Sequence, residues 1–91
     1  MLPVIWSPDA LNDLESITRY VMQRNPPAAV SLKNRLVGEA ERLASIPLGG
    51  RKGRVAGTRE WVAHTNYLLV YRVLVDAVEI LAILHTRRSY P

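Results

Sequence analysis

Arginine side chains dominate the chemistry that this sequence offers, and they are concentrated in its second half. Residues 51–91 carry the whole net charge of +4, whereas acidic and basic side chains balance in residues 1–50. The arginines of the second half are Arg51, Arg54, Arg59, Arg72, Arg87 and Arg88, and Lys52 lies among them. A guanidinium group binds phosphate or carboxylate through two parallel hydrogen bonds. The pattern therefore predicts a polyanion or an acidic protein as partner.

Two further side chains near the C-terminus could move protons. His85 ends an apolar segment, where packing or capping is the usual role, although imidazole titrates near neutral pH. Tyr90 is next to the last residue, where chains usually fray. The stretch GGRKGR lacks the glycine spacing of a phosphate-binding loop, and no metal-ligand spacing is present. We therefore expect no metal and no cofactor.

The bulk composition indicates one ordinary globular domain over residues 1–91. Hydrophobic residues make up 48% of the chain and charged residues 22%. No apolar run approaches the roughly 20 residues that a membrane-spanning helix needs, and the start MLPVIW does not resemble a secretion signal. Because the chain has no cysteine, nothing requires an oxidising compartment. We expect a soluble, cytoplasmic protein that makes no use of a membrane.

The first half of the sequence predicts a short strand followed by two helices. In SPDA, Ser7 suits the N-cap and Pro8 the first helical position. Asn25 and Pro26 repeat this arrangement at a second helix, and Pro47 ends the second pattern. Apolar residues recur at spacings of three and four in both segments, which is typical of helices with one buried face. The short break between them predicts an antiparallel helix hairpin.

The second half predicts three strands, TREWVAH, YLLVYRVLV and VEILAILH, separated by the short breaks TN and DA. The fold class is therefore α+β, in the order β-α-α-β-β-β, with the helix hairpin packed on a small antiparallel sheet. Strict alternation places apolar side chains on both faces of this sheet. The face away from the helices would expose Leu68, Val70, Leu81 and Ile83, and an exposed apolar patch with a basic rim indicates a binding surface.

Four segments also carry a family pattern when they are taken together in order. They are Trp6 with A..DL..I..Y over residues 10–20, GTRE at residues 57–60, Y.LVYRV at residues 67–73, and VEIL..LH.RR..P over residues 78–91. With the order of the elements, these segments resemble the RelE/ParE superfamily of bacterial type II toxins, in its ParE-like branch. The resemblance covers nearly the whole chain. It implies a toxin that is neutralised by an antitoxin encoded beside it.

Members of this superfamily differ in their targets. RelE-like toxins cut mRNA in the ribosomal A site, whereas ParE-like toxins act on DNA gyrase and are not known as hydrolases. RNA cleavage without a metal needs a base, a cation over the phosphate and a proton donor. If the protein is a nuclease, the resemblance implies that these groups come from Arg59, Arg72, His85, Arg87, Arg88 and Tyr90.

The leading prediction is a ParE-like inhibitor of DNA gyrase without catalytic residues, which binds its target through Arg59, Arg87, Arg88 and Tyr90. The alternatives are a RelE-like endonuclease acting on ribosome-bound mRNA, and a non-toxic basic module that binds nucleic acid or protein. For either toxin, the predicted partner is an acidic antitoxin. Its amphipathic segment would lie over the helix hairpin and the sheet edge and would contact Leu68, Val70, Leu81 and Ile83.

Overall fold

The computed structural model describes residues 1–87 and has two layers, a pair of helices and a sheet. Its elements are β1 (Val4–Trp6), α1 (Pro8–Met22), α2 (Pro26–Ser45), a 3-10 turn (Pro47–Gly49), β2 (Arg51–Lys52), β3 (Arg59–His64), β4 (Tyr67–Val73) and β5 (Val78–His85).

Both helices begin where the sequence predicted. The Ser7 hydroxyl accepts a hydrogen bond from the Ala10 N–H at 3.0 Å, and the Asn25 side chain accepts one from the Ala28 N–H at 3.2 Å. Each cap satisfies an amide that has no partner inside its helix. The residue that follows each cap is a proline, which fits the first turn because its missing N–H costs nothing there.

The α+β fold with a helix hairpin on a sheet is confirmed, but the sheet is mixed and not purely antiparallel. The strand order is β1-β5-β4-β3-β2, and β1 pairs with β5 in parallel. The other neighbours are antiparallel. The stretch GGRKGR, which lies outside the predicted strands, contains the two residues of β2, and these extend the sheet beside β3. Because α1, α2 and strands β2–β4 all lie between them in the chain, β1 and β5 have the long connection that parallel neighbours require.

One extra residue in β5 changes which side chains face the helices. Leu81 is that residue, since the register with β4 passes from Ile80 directly to Ala82. A β-bulge of this kind transfers the side chains that follow it to the opposite face. Ile83 therefore lies in the core beside Leu69. The strict alternation predicted for this strand is wrong beyond Leu81.

The core lies between the sheet and the inner faces of the two helices. Its largest fully buried side chains are Tyr71, Leu36, Leu43, Leu69, Ile80 and Val78. Alanines pack where α1 and α2 approach each other and the sheet, as at Ala10 and Ala40. Within residues 1–87, no helix is long and apolar enough to cross a membrane.

Candidate functional site

The basic loop, residues 51–59, is held by one buried carboxylate at its base. Glu60 is 3% exposed, and its Oε1 accepts from Arg51 Nε at 3.1 Å and lies 2.9 Å from Arg51 Nη2. Its Oε2 accepts from the Arg54 backbone N–H at 3.4 Å and lies 3.5 Å from Arg54 Nε. A buried carboxylate is costly unless charged partners and hydrogen bonds compensate for its lost hydration. Arg51 and Arg54 thus have a structural role at this end of the sheet.

Arg59 also donates hydrogen bonds within the protein, through one nitrogen of its guanidinium group. Its Nη1 donates to the Gly50 carbonyl at 2.8 Å and to the Leu48 carbonyl at 3.3 Å, and the residue is only half-exposed. These bonds satisfy carbonyls at the end of the 3-10 turn. The sequence predicted Arg59 as a target-binding residue, and the structure places it as a brace between β3 and the chain that follows α2.

Tyr71 completes this brace from within the core. Its hydroxyl donates to the Pro47 carbonyl at 2.7 Å and accepts from the Gly50 N–H at 3.0 Å. A Cβ atom at residue 50 would collide with this hydroxyl and with the Glu60 carbonyl, so the close approach requires glycine. Burial raises the pKa of Tyr71, and the Gly50 hydrogen bond and the Arg59 charge offset part of that increase.

Arg72 forms a cross-strand ion pair on the sheet face away from the helices. It lies directly opposite Glu79 in the register, and its Nε is 2.6 Å from Glu79 Oε1. Oppositely charged residues across an antiparallel pair stabilise the sheet modestly. A phosphate would therefore have to compete with Glu79 for this guanidinium.

His85 is the last residue of β5 and lies beside Tyr67, the first residue of β4, in a cluster of three rings. The Tyr67 ring centroid is 5.5 Å from that of His85 and 5.8 Å from that of His64. The Nδ1 atom of His85 accepts from the Arg87 backbone N–H at 3.2 Å. This bond engages one ring nitrogen of His85 with the backbone that follows β5.

The predicted nuclease residues in the described part of the chain do not converge on one point. His85 lies opposite Tyr67, and Arg72 lies at the far end of β4. At about 3.3 Å per residue, these positions are roughly 17 Å apart along the strand. Arg59 and Arg72 flank Tyr71 from different faces of the sheet, because Arg59 pairs with Tyr71 while Arg72 follows it. Arg87 is exposed, and Arg88 and Tyr90 lie outside the described residues.

The apolar residues predicted to contact an antitoxin are not an exposed patch. Leu68, Val70 and Ile83 are 2%, 1% and 5% exposed, and Leu81 is half-buried. Ile83 lies on the helix-facing side because of the bulge, and Leu68 and Val70 lie on the central strand between β3 and β5. Their predicted exposure is wrong. The sequence pattern shows neither the bulge in β5 nor that Leu68 and Val70 lie on a strand with neighbouring strands on both sides.

A groove that the sequence did not suggest lies between α1 and the ends of β4 and β5. We call it the aromatic groove, and its volume is about 550 Å³. It is lined by Asp13, Ser16, Ile17, Tyr20, Tyr67, Ile83 and His85. The available signal was the A..DL..I..Y pattern, because Asp13, Ile17 and Tyr20 are spaced to share one helix face.

Asp13 has a specific partner in this groove. Its Oδ2 accepts from the Ile83 backbone N–H at 3.0 Å, and Ser7 Oγ donates to the Leu81 carbonyl at 3.1 Å. Both bonds lie on β5 beyond the last residue that β1 pairs. The Ser7 cap and the Asp13 side chain of α1 thus continue the edge contacts of β5 where β1 stops. In the part of the chain that the structure describes, no group of three His, Cys, Asp or Glu side chains could hold a metal.

Comparison with known proteins identifies relatives that match almost end to end. The chain is 37% identical over 87 residues to "Putative toxin Y4kP" of Sinorhizobium fredii, covering 94% of this chain and 90% of that protein. It is 38% identical over 88 residues to "Toxin RelE2" of Caulobacter vibrioides, covering 97% and 99%.

Solved structures support the fold. A chain from the chromosomal ParDE toxin–antitoxin system of P. aeruginosa matches with a TM-score of 0.83 and 22% identity, over 93% of this chain and 96% of that one. The YoeB dimer of Staphylococcus aureus matches with a TM-score of 0.53 and 20% identity, over 98% of each chain. Residues 4–90 also match the family model described as ParE toxin of type II toxin–antitoxin system, parDE. The chain therefore belongs to the ParE toxin family of type II toxin–antitoxin systems.

Proposed function

We propose that this ParE-family toxin inhibits growth by binding DNA gyrase and that a cognate antitoxin neutralises it. The observation that carries the choice of gyrase over RNA cleavage is the dispersal of the groups a nuclease would need. Arg59 is bonded to two carbonyls, Arg72 is paired with Glu79, and His85 lies at the opposite end of β4. Metal-free RNA cleavage requires its base, cation and acid around one phosphate.

The surface proposed to bind gyrase is the C-terminal segment. Arg87 is exposed, and in the described residues its side chain has neither a hydrogen bond nor an ion pair, in contrast to Arg59 and Arg72. Arg88 and Tyr90 follow in the sequence and add a second guanidinium and a phenol. An arginine with no internal partner can bind an acidic surface without first breaking a bond inside the protein.

The surface proposed for the antitoxin is the helix hairpin. A groove between α1 and α2 is lined by Leu11, Leu14, Glu15, Thr18, Arg19, Met22 and Lys33. Leu11 is 51% exposed and Met22 43% exposed, so apolar side chains face solvent there. Lys33 lies beside them, and an amphipathic segment with acidic residues at its rim would complement this groove.

The direct test places the purified toxin in two assays at equal concentrations. One measures supercoiling of relaxed plasmid by gyrase, and the other measures cleavage of mRNA on programmed ribosomes. We expect inhibition of supercoiling, no mRNA cleavage, and reversal of the inhibition by the antitoxin. Cleavage of mRNA with unimpaired supercoiling would contradict the proposal.

A ribosome-dependent nuclease is the second candidate, and one comparison favours it. A relative that is 38% identical over 88 residues bears the name RelE2. In that case His85 and Tyr90 would transfer protons, and His85→Ala and Tyr90→Phe would each lower the cleavage rate about 100-fold or more. A gyrase inhibitor would tolerate Tyr90→Phe, because the ring is kept.

A further inference from the structure

The aromatic groove has a chemical character opposite to that of the rest of the protein. The chain has a net charge of +4, yet no lysine or arginine of residues 1–87 is among the seven that line this groove. Its one carboxylate belongs to Asp13, and three ring side chains, Tyr20, Tyr67 and His85, lie around it. Its volume of about 550 Å³ is in the range of roughly 300–1,000 Å³ that is typical of ligand sites.

The Asp13 carboxylate is fixed in place but retains acceptor capacity. Oδ2 accepts the Ile83 N–H at 3.0 Å, which sets the orientation of the side chain. A carboxylate has two oxygens and about four lone-pair sites, so one backbone bond leaves most of them for a ligand. A donor that enters between α1 and β5 would meet this carboxylate.

The rings suit a cation. His85 contributes a ring whose Nδ1 is already engaged by the Arg87 N–H. Tyr20 already shows the interaction within the chain, since the Arg24 guanidinium carbon lies 3.9 Å from its ring centroid, so a ligand would stack on the other face of this ring or displace Arg24. The faces of tyrosine rings attract guanidinium groups, which stack on them and hydrogen-bond to a carboxylate at their edge.

We propose that the aromatic groove binds an arginine side chain of a protein partner, with the guanidinium paired to Asp13 and stacked against the rings of Tyr20 and Tyr67. The charge complementarity of one anchored carboxylate and several rings selects this occupant over an acidic one. The proposal goes beyond the toxin function above, because it concerns a basic group on the partner and a groove that shares no lining residue with the helix hairpin groove.

The test is a titration of the ¹⁵N-labelled protein with Nα-acetyl-arginine methylamide, followed by NMR. The matched probe is the citrulline analogue, which has the same shape without the charge. We expect the arginine compound to shift the amides of Tyr20, Ile83 and His85, and the citrulline compound to bind at least about tenfold more weakly. Equal shifts from both compounds, or shifts centred on other residues, would overturn the proposal.

Variants separate the site from general charge effects. Asp13→Asn keeps an oxygen for the Ile83 N–H but removes the charge, and Tyr20→Leu removes a ring that is 58% exposed. Each should weaken binding about tenfold or more, while Glu41→Gln, which removes an exposed carboxylate outside both grooves, should leave it unchanged. Unchanged binding by both groove variants would refute the proposal. Adenosine monophosphate is the competing probe, and selective shifts by it alone would make the groove a base-binding site.

Discussion

The basic loop and the aromatic groove lie at opposite ends of β4 and use their polar groups in opposite ways. In the basic loop, Glu60 pairs with Arg51 and Arg54, and Arg59 donates hydrogen bonds to two carbonyls. These three arginines therefore stabilise the fold. In the aromatic groove, Asp13, Tyr20 and His85 line an open space. A cluster of charges in a sequence can therefore be structural, whereas a groove can form from residues that lie far apart in the sequence, such as Asp13 and His85.

The largest expected effect is at Tyr71, which is buried near the end of β4 that adjoins the basic loop. Tyr71→Ala should lower the free energy of unfolding by about 3–5 kcal/mol, because it leaves a cavity and removes two hydrogen bonds. Urea denaturation followed by circular dichroism measures this loss. Tyr67→Ala is the control from the groove end of the same strand, and since Tyr67 is only half-buried its loss should be clearly smaller. Equal losses would remove the distinction between the two ends.

The next effect concerns the carboxylate that holds the basic loop. Glu60→Gln should lower the free energy of unfolding by about 1–3 kcal/mol, because charged hydrogen bonds to Arg51 and Arg54 are replaced by weaker ones. Glu79→Gln is the matched control, since the Glu79 pair with Arg72 is more exposed and should contribute about 1 kcal/mol or less. A Glu60 variant as stable as the Glu79 variant would show that the loop does not depend on its buried anchor.

The pH dependence of stability tests the Tyr71 hydroxyl itself. Its folded pKa is raised above the ordinary tyrosine value of 10.0, so the unfolded chain loses this proton first as pH rises. The contribution is therefore fully present below about pH 10 and is lost as pH rises through the folded pKa. Tyr71→Phe lacks this titration, so the stability difference between the parent and the variant should narrow above pH 10. A difference that stays constant or widens between pH 9 and pH 11 would contradict the raised pKa.

The smallest effects on stability separate Arg59 from Arg87, two of the three arginines predicted to bind a target. Arg59→Ala should cost about 1 kcal/mol of unfolding free energy, because the Gly50 and Leu48 carbonyls lose their donor. Arg87→Ala should change it by no more than about 0.5 kcal/mol and yet reduce toxicity. Thermal melts and growth assays on both variants measure the two quantities. Full toxicity of a well-folded Arg87→Ala protein would remove Arg87 from the target-binding surface.

The helix hairpin and the family membership could both be predicted from the sequence alone. The caps at Ser7 and Asn25 act on amides three residues away, and the apolar spacing of a helix is a property of near neighbours. Such signals lie within a few residues and can be recognised without the fold. The alternation of the strands is also a local signal. In β5, however, only the residues before the bulge at Leu81 lie on the predicted faces.

Which polar groups form hydrogen bonds inside the protein, and where a groove forms, depends on contacts between residues that are distant in the sequence. Asp13 meets the Ile83 amide across 70 residues of sequence, and the Tyr71 hydroxyl reaches the Pro47 carbonyl across 24. The bulge at Leu81 sets the faces of the residues beyond it, and it depends on how β5 pairs with β4 and on how the end of α1 meets its free edge. Local sequence carries no record of such distant partners, because a hydrogen bond depends on position in space and not on separation along the chain.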